Sequence, residues 1–241
     1  MAYWIGFDPS TVTRPVNQSR TTRRYHAPRR TAAAAETRRA ILRAAKEEFE
    51  THGWAAATMR SIAASAGVSP KTVEALFATK AALLEATLLR SFGGEAWTER
   101  GALAILRPDA VLLLRPQATG EIERAPDAAT VLERHAALLS EIQVRSARIC
   151  WVAETAVTSD DRLAQIWERL NEAHRFGAHW SAEVLLGKPG VRPDLTLREA
   201  EETFVVASDW HTYRTLTTRA GLRPDEVQAW IAHYYRRMLL A

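Results

Sequence analysis

The sequence predicts an all-α fold in which a small N-terminal helical domain precedes a larger helical domain. Three observations support this prediction. Apolar residues recur every three or four positions through most of the chain after residue 31, as on the buried side of an amphipathic helix. Residues that cap helices, such as Thr58 and Ser69, alternate with glycines that end them. No segment alternates apolar and polar residues over a useful length, so we expect no strands.

Composition indicates a globular protein with a sizeable core. The chain has 241 residues, of which 47% are hydrophobic, and a single cysteine, Cys150. One cysteine excludes a disulfide within the chain and is compatible with the cytosol. The apolar runs are too short to span a membrane, and no signal peptide is recognised, so we expect a soluble, cytoplasmic protein without membrane contact.

Positive charge is concentrated at the N-terminal end. Residues 1–80 carry 13 Lys and Arg against 6 Asp and Glu, whereas residues 81–241 carry 19 against 22. A basic front favours a polyanion such as a nucleic acid as the partner of that part alone. Residues 1–30 lack helical periodicity and contain six arginines, so we interpret them as a flexible basic arm. The arm either enters a DNA minor groove or is an idle tail.

Residues 31–80 predict three short helices. The first has the apolar stripe Ile41, Ala45 and Phe49 and ends at Gly53, in a left-handed conformation. Thr58 is a natural N-cap for the second helix.

The stretch from Met59 to Phe77 has the spacing of a helix-turn-helix. Ala63 is small enough for a close helix crossing, and Gly67 lies in the turn. Ser69 caps the third helix, with Pro70 in its first turn. Three apolar residues would bury that helix: Val73, Leu76 and Phe77.

Residues 36–85 resemble the N-terminal domain of the TetR family of bacterial transcriptional regulators. The resemblance is carried by the opening helix, the passage G-W…A-T-M-R-S-I-A, the motif A-G-V-S and the later F-x-x-K. It implies a sequence-specific DNA-binding regulator, usually a repressor, that acts as a homodimer on a palindromic operator. It also implies that a small-molecule effector bound by a helical C-terminal domain releases the protein from DNA.

Within this domain we predict phosphate contacts at two helix N-termini and base contacts from the third helix. Lys71 and Thr72 are placed to reach base edges, and Glu74 either accepts a hydrogen bond from cytosine or faces solvent. Lys80 matches the family's lysine at the start of the fourth helix, which resembles a phosphate clamp. The predicted DNA-binding residues are Thr58, Arg60, Ser69, Pro70, Lys71, Thr72, Glu74 and Lys80.

Residues 81–241 predict a helical domain for effector binding and dimerisation. One helix is expected from Thr196 to about Arg219 and a last one after Pro224. This end of the chain resembles the paired C-terminal helices of TetR regulators, although an ordinary core within one chain is the alternative. The predicted dimer interface comprises Phe204, Val227, Ile231, Tyr234 and Met238.

Aromatic and polar residues in the same half are suited to a ligand pocket, although buried tryptophans are usually core. The candidates are Trp151, Trp167, His174, Trp180, Trp210, His211 and Tyr213. His174 and His179 are spaced i, i+5 and do not share a helix face, so we expect no metal, and no motif indicates a cofactor. Cys150 is interpreted as a packed thiol.

The sequence therefore favours a ligand-released DNA-binding repressor. Two other hypotheses stay open. One is a non-regulatory, architectural DNA-binding protein, and the other is a ligand-binding helical protein with weakened DNA binding. A helical enzyme is the least favoured, because no nucleophile motif or phosphate loop is present.

Overall fold

The computed structural model describes residues 27–94 and 116–241, with side chains from residue 32 onward. The predicted all-α class is confirmed, since these ranges contain helices and no strand. The helices are α1 (Ala27–Ala56), α2 (Met59–Ser65), α3 (Pro70–Phe77), α4 (Lys80–Gly93), α5 (Pro116–Glu123), α6 (Ala128–Ala156), α7 (Asp161–Leu186), α8 (Leu197–Ser208), α9 (Trp210–Arg214) and α10 (Pro224–Leu239). A 3-10 turn (Val157–Ser159) precedes α7 and a π turn (Thr215–Arg219) follows α9.

The predicted basic arm lies outside the described residues as far as residue 26. Helix α1 begins at Ala27, a few residues before the expected start of the DNA-binding domain at residue 31. The boundary therefore falls inside the first helix.

Two hydrophobic cores hold the helices together. The first core joins α1–α4 to the second half of α6 and the start of α7, through residues such as Phe49, Leu84 and Ile149. The second core joins α5, the first half of α6, the end of α7, α8 and α10, through residues such as Phe204 and Tyr235. Helix α6 is 29 residues long and takes part in both.

The predicted caps are present in the helix-turn-helix. Thr58 caps α2 and forms a reciprocal pair with Ser61, and Ser69 caps α3 ahead of Pro70. Gly67 has φ +68° in the turn between the two helices, a left-handed conformation that costs glycine little. The sequence therefore specifies this unit through local rules.

Leu76 is a correction to the predicted burial of α3. Val73 and Phe77 are buried one turn apart, but the side chain of Leu76 is 36% exposed. The short helix packs along one narrow side, and Leu76 lies at the edge of that side.

The expected single helix from Thr196 to about Arg219 is also wrong, because the chain breaks at Asp209. The Asp209 carboxylate accepts a hydrogen bond from the His211 amide at 2.6 Å and so starts a new helix, α9. The buried side-chain amide of Gln143, on α6, donates to the Ala207 carbonyl at 3.2 Å and lies 3.5 Å from that of Asp209. These bonds stabilise carbonyls that a continuous helix would satisfy itself.

Within the described ranges, no helix combines the length and apolarity that crossing a membrane requires.

We predict that Gly67→Ala destabilises the fold by about 1–2 kcal/mol, because an alanine at positive φ is strained. A Cβ at this position would meet no atom within 4 Å, so the cost is conformational alone. Urea unfolding measures it. Gly187→Ala is the control, since Gly187 has φ −75°. Equal effects of the two substitutions would contradict the assignment.

Candidate functional site

The third helix, α3, presents a solvent-exposed side. Lys71, Glu74 and Ala75 are exposed, whereas Val73 and Phe77 anchor the helix in the first core. Thr72 is half-buried, and its hydroxyl lies 2.8 Å from that of Ser69. The structure thus leaves Lys71 and Glu74 accessible to a partner and ties Thr72 to the cap.

The two predicted phosphate-binding caps already make internal hydrogen bonds. Ser69 Oγ accepts from the Thr72 amide at 3.1 Å, and Thr58 Oγ1 accepts from the Ser61 amide at 3.0 Å. Arg60, beside Thr58, is exposed. These caps fix the N-termini of α3 and α2, where amide groups and the helix dipoles favour an anion.

Lys80 joins α4 to the segment between α1 and α2. Its ammonium donates to the Trp54 carbonyl at 2.6 Å and to the Ala57 carbonyl at 2.9 Å, and it lies 4.3 Å from the Trp54 ring centroid. Partial burial lowers the pKa of Lys80 from its ordinary value. This cross-link was missed by sequence reasoning, because the spacing of Trp54 and Lys80 does not reveal a contact between a side chain and a distant carbonyl.

The C-terminal end of α4 is held by an arginine of α6. Arg145 donates to the Ser91 carbonyl at 3.2 Å and to the Phe92 carbonyl at 3.4 Å. Arg162 of α7 forms a 2.5 Å ion pair with Glu85 in the middle of α4. Helix α4 is therefore attached to the helix-turn-helix at one end and to the larger domain along its length.

A cavity of about 170 Å³ lies where the two cores meet. Four predicted pocket residues line it, namely Trp167, His174, Trp180 and Trp210. The Trp167 and Trp210 rings meet edge to face, with centroids 4.7 Å apart. The break at Asp209 makes Trp210 the first residue of α9.

The other three predicted pocket residues do not line the cavity. Trp151 is 37% exposed and stacks under the Arg214 guanidinium, 3.5 Å from the ring centroid. His211 pairs with Glu154 at 3.1 Å and with Asp209 at 3.0 Å. Tyr213 packs against the second core, and burial raises the pKa of its hydroxyl.

Sequence reasoning missed two important lining residues, Phe92 and His135. His135 lies in the sequence stripe Val131, His135, Leu138 and Ile142, whose other members are aliphatic. A histidine in an otherwise apolar stripe was the available signal. Phe92 carries no such signal, since its role follows from where α4 ends.

The cavity is electrically neutral among the residues described. None of its described lining residues is Asp, Glu, Lys or Arg. His135 is half-buried in the cavity wall, where desolvation lowers the pKa of its imidazole to about 4, and His174 acts in the same direction. Burial also lowers the pKa of His174, chiefly by desolvation. Both imidazoles are therefore neutral at pH 7.

Cys150 lines the same cavity and is buried, as predicted for a packed thiol. Burial raises the pKa of this thiol well above its ordinary value, which disfavours the reactive thiolate. No cluster of three potential metal ligands exists within residues 27–94 and 116–241.

The predicted dimer interface is corrected for three of its five residues. Phe204, Val227 and Ile231 are fully buried inside the chain's own second core and have no surface for a partner. The physical reason is a four-residue repeat on α10, which turns one side of this helix inward: Val227, Ile231, Tyr235 and Leu239.

Tyr234 and Met238 lie on α10 next to its buried stripe, and their apolar side chains are partly exposed. Met238 is 41% exposed, and half-buried Tyr234 stacks on Trp230 at 5.3 Å between centroids. Val206 on α8 is 49% exposed. We call Val206, Trp230, Tyr234 and Met238 the α8–α10 face.

Comparisons with known proteins agree with this architecture. Residues 41–87 match the family model of bacterial regulatory proteins of the tetR family. No curated protein matches the sequence.

Several solved structures have a similar fold. One, from Saccharomonospora viridis, is described as a transcriptional regulator in complex with choline. It has a TM-score of 0.62 and 17% identity, covering 86% of this chain and 99% of the other. A TetR-family regulator from Rhodococcus sp. has a TM-score of 0.58 and 16% identity, and the match covers 84% of this chain and 98% of the other. Another TetR-family regulator, from Mesorhizobium loti MAFF303099, has a TM-score of 0.57 and 17% identity, and the match covers 86% of this chain and 98% of the other.

The desolvated imidazole of His135 predicts a pH-dependent stability. Its pKa falls from 6.5 to about 4 on folding, so the unfolded chain binds the proton more readily between these values. Stability is therefore complete above pH 6.5 and lost as the pH falls through 4, by about 3 kcal/mol from this group.

Urea unfolding between pH 7 and pH 4 tests this prediction. His135→Gln should flatten the dependence on pH, whereas His52→Gln, on the exposed surface of α1, should leave it unchanged. An unaltered slope in His135→Gln would show that this imidazole does not carry the effect.

Proposed function

We propose that this chain, which carries the DNA-binding domain of the TetR family on a TetR-like all-α fold, is a homodimeric repressor that leaves its operator when a small molecule enters the cavity. The observation that carries the proposal is the connection through α4. This helix joins the helix-turn-helix at Lys80 to the cavity at Phe92. We place its action in the cytoplasm. TetR-family proteins are regulators rather than enzymes.

Operator recognition would use the exposed side of α3. Lys71 is the candidate for reading base edges, with Glu74 accepting from cytosine N4–H₂ or remaining in solvent. Thr58 and Ser69 would place helix N-termini against phosphates, and Arg60 would reach the backbone beside them.

Lys80 would contribute to DNA binding in two ways, by positioning α2 and by attracting a phosphate. Two of its ammonium hydrogens bind the Trp54 and Ala57 carbonyls, which fixes the start of α2 relative to α4. The third hydrogen and the charge remain to attract a phosphate.

Dimerisation would use the α8–α10 face. A single α3 contacts few base pairs, so specific binding requires two copies about one DNA turn apart. The exposed stack of Trp230 and Tyr234 is the type of aromatic surface that interfaces enrich.

Effector release would act through the position of α4. A molecule in the cavity contacts Phe92, whose carbonyl is bonded to Arg145. Any shift there moves α4, which Lys80 ties to the Ala57 carbonyl just ahead of α2. A hundredfold loss of operator affinity requires about 2.7 kcal/mol of coupling, which falls within the usual range for allosteric proteins.

Two lysine substitutions test the DNA-binding assignment. Lys71→Ala should cost about 1–3 kcal/mol on the preferred operator and relax sequence preference. Lys80→Ala should weaken binding to all duplexes and reduce the slope of log K against log salt by about one. Arg169→Ala, which removes an exposed charge from α7, is the control.

The measurement is operator affinity by fluorescence anisotropy at several salt concentrations, on an operator selected from random duplexes. Urea unfolding of the same variants separates lost stability from lost contact. If the chain ignores duplex DNA at low ionic strength, the proposed function is wrong.

A charge placed on the α8–α10 face should break the dimer. Met238→Arg is expected to weaken self-association about tenfold or more, since an unpaired charge would be buried at the interface. Val144→Arg is the matched control, because Val144 is 50% exposed on α6, a helix that contributes no residue to this face. Sedimentation equilibrium measures both. A dimer unaffected by Met238→Arg would require another interface.

A further inference from the structure

We propose that the cavity takes an uncharged, mostly apolar molecule of about one ring that carries a carbonyl or hydroxyl oxygen. The inference deepens the proposed function and rests on it for its biological meaning, because the cavity is the effector site of that proposal. Its chemical basis is the lining of the cavity alone.

The size of the ligand follows from the volume. The cavity measures about 170 Å³, and an engineered cavity of about 150 Å³ in another protein holds benzene. The walls are largely aromatic and aliphatic, with Trp167, Trp180 and Phe92 among them. A single substituted ring therefore fills the space and gains most of its affinity from apolar burial.

The neutrality of the ligand follows from the absence of a countercharge. The described lining offers no carboxylate, ammonium or guanidinium group. The nearby Asp209 carboxylate already accepts from the His211 amide and pairs with its imidazole. Aromatic faces alone favour a cation by only about 0.5–2 kcal/mol. That gain does not offset the several kcal/mol that desolvating an unpaired ion costs.

The histidines provide independent support, since they show how the site treats a charge. Burial lowers the pKa of His135 to about 4, so this environment disfavours an imidazolium ion. A ligand cation of similar size would meet the same environment.

The oxygen atom of the ligand follows from a ring nitrogen of His135 that has no hydrogen-bond partner among the described residues. His135 Nδ1 lies 3.1 Å from the Tyr235 hydroxyl. Tyr235 bonds no other described residue, so its hydroxyl donates to Nδ1 and the imidazole hydrogen resides on Nε2. No described residue accepts that hydrogen.

His174 supplies the complementary acceptor. The Ser208 hydroxyl donates its only hydrogen to the Phe204 carbonyl at 2.6 Å, so His174 Nε2 must donate to Ser208 Oγ. Its Nδ1 then carries a lone pair. A ligand oxygen that accepts from His135 Nε2 satisfies a group that is otherwise costly to bury, and a hydroxyl could also donate to His174.

Four one-ring probes of similar size test the proposal by isothermal titration calorimetry on the full chain without DNA. They are acetophenone, cumene, benzoate and phenyltrimethylammonium. We expect acetophenone to bind about three- to tenfold tighter than cumene, the contribution of one hydrogen bond. Both ions should bind at least about 100-fold more weakly than acetophenone.

Two substitutions assign the hydrogen bond. His135→Phe should reduce the preference for acetophenone over cumene to near one while cumene still binds. Trp210→Phe, which keeps an aromatic ring in the cavity wall and leaves the bond between His135 and Tyr235 in place, should retain the preference. Trp151→Phe, outside the cavity, should change nothing.

Several results would overturn the inference. They are an ion binding as tightly as acetophenone, no binding of either neutral probe, and an unchanged preference in His135→Phe. Release of operator DNA by acetophenone is measured separately. Binding without release would contradict the effector role in the proposed function and leave the ligand class standing, whereas release by an ion with no neutral binding would do the reverse.

Discussion

The packing of α6 against both hydrophobic cores is the constraint on which the rest of the structure depends. This helix contributes Leu132 to the second core and Ile149 to the first. Polar residues of α6 also bond neighbouring elements: Gln143 stabilises the break at Asp209, and Arg145 donates to carbonyls at the end of α4. A helix with two packing partners along its length must be apolar on more than one side, which the sequence between Ala128 and Ala156 satisfies.

The cavity is a consequence of this arrangement. Each core is close-packed around its own aliphatic residues, and the space between them is filled by large aromatic rings that do not close it completely. The two histidines in its wall are each hydrogen-bonded at one ring nitrogen, His135 by Tyr235 and His174 by Ser208. The site is thus preformed by the fold.

The parts of the fold that local rules determine were predictable from the sequence. The caps at Thr58 and Ser69, the left-handed glycines and the buried stripe of α1 depend on neighbours within one or two turns. The predicted burial of Leu76 was wrong because burial at the edge of a short helix depends on which side the neighbouring helices leave uncovered. The break at Asp209 was not predicted because the buried amide that supports it, from Gln143, lies on another helix, 66 residues away.

The candidate site was predictable to a smaller extent for the same reason. Residues of the right type were identified, but only tertiary packing decides that Trp210 lines the cavity while His211 pairs with Glu154. On α10, periodicity indicated an apolar helix. It did not separate Ile231, which faces the core, from Met238, which faces solvent, because the two differ by less than a third of a turn around the axis.

The edge-to-face contact of Trp167 and Trp210 has a spectroscopic consequence. Two indole chromophores with ring centroids 4.7 Å apart share their electronic excitations, and the sign and strength of that coupling depend on the angle between the rings. Since both rings belong to the cavity wall, any occupant that rotates one of them alters the exciton signal in circular dichroism. Circular dichroism of the protein alone can therefore detect whether the cavity is filled, without an added dye.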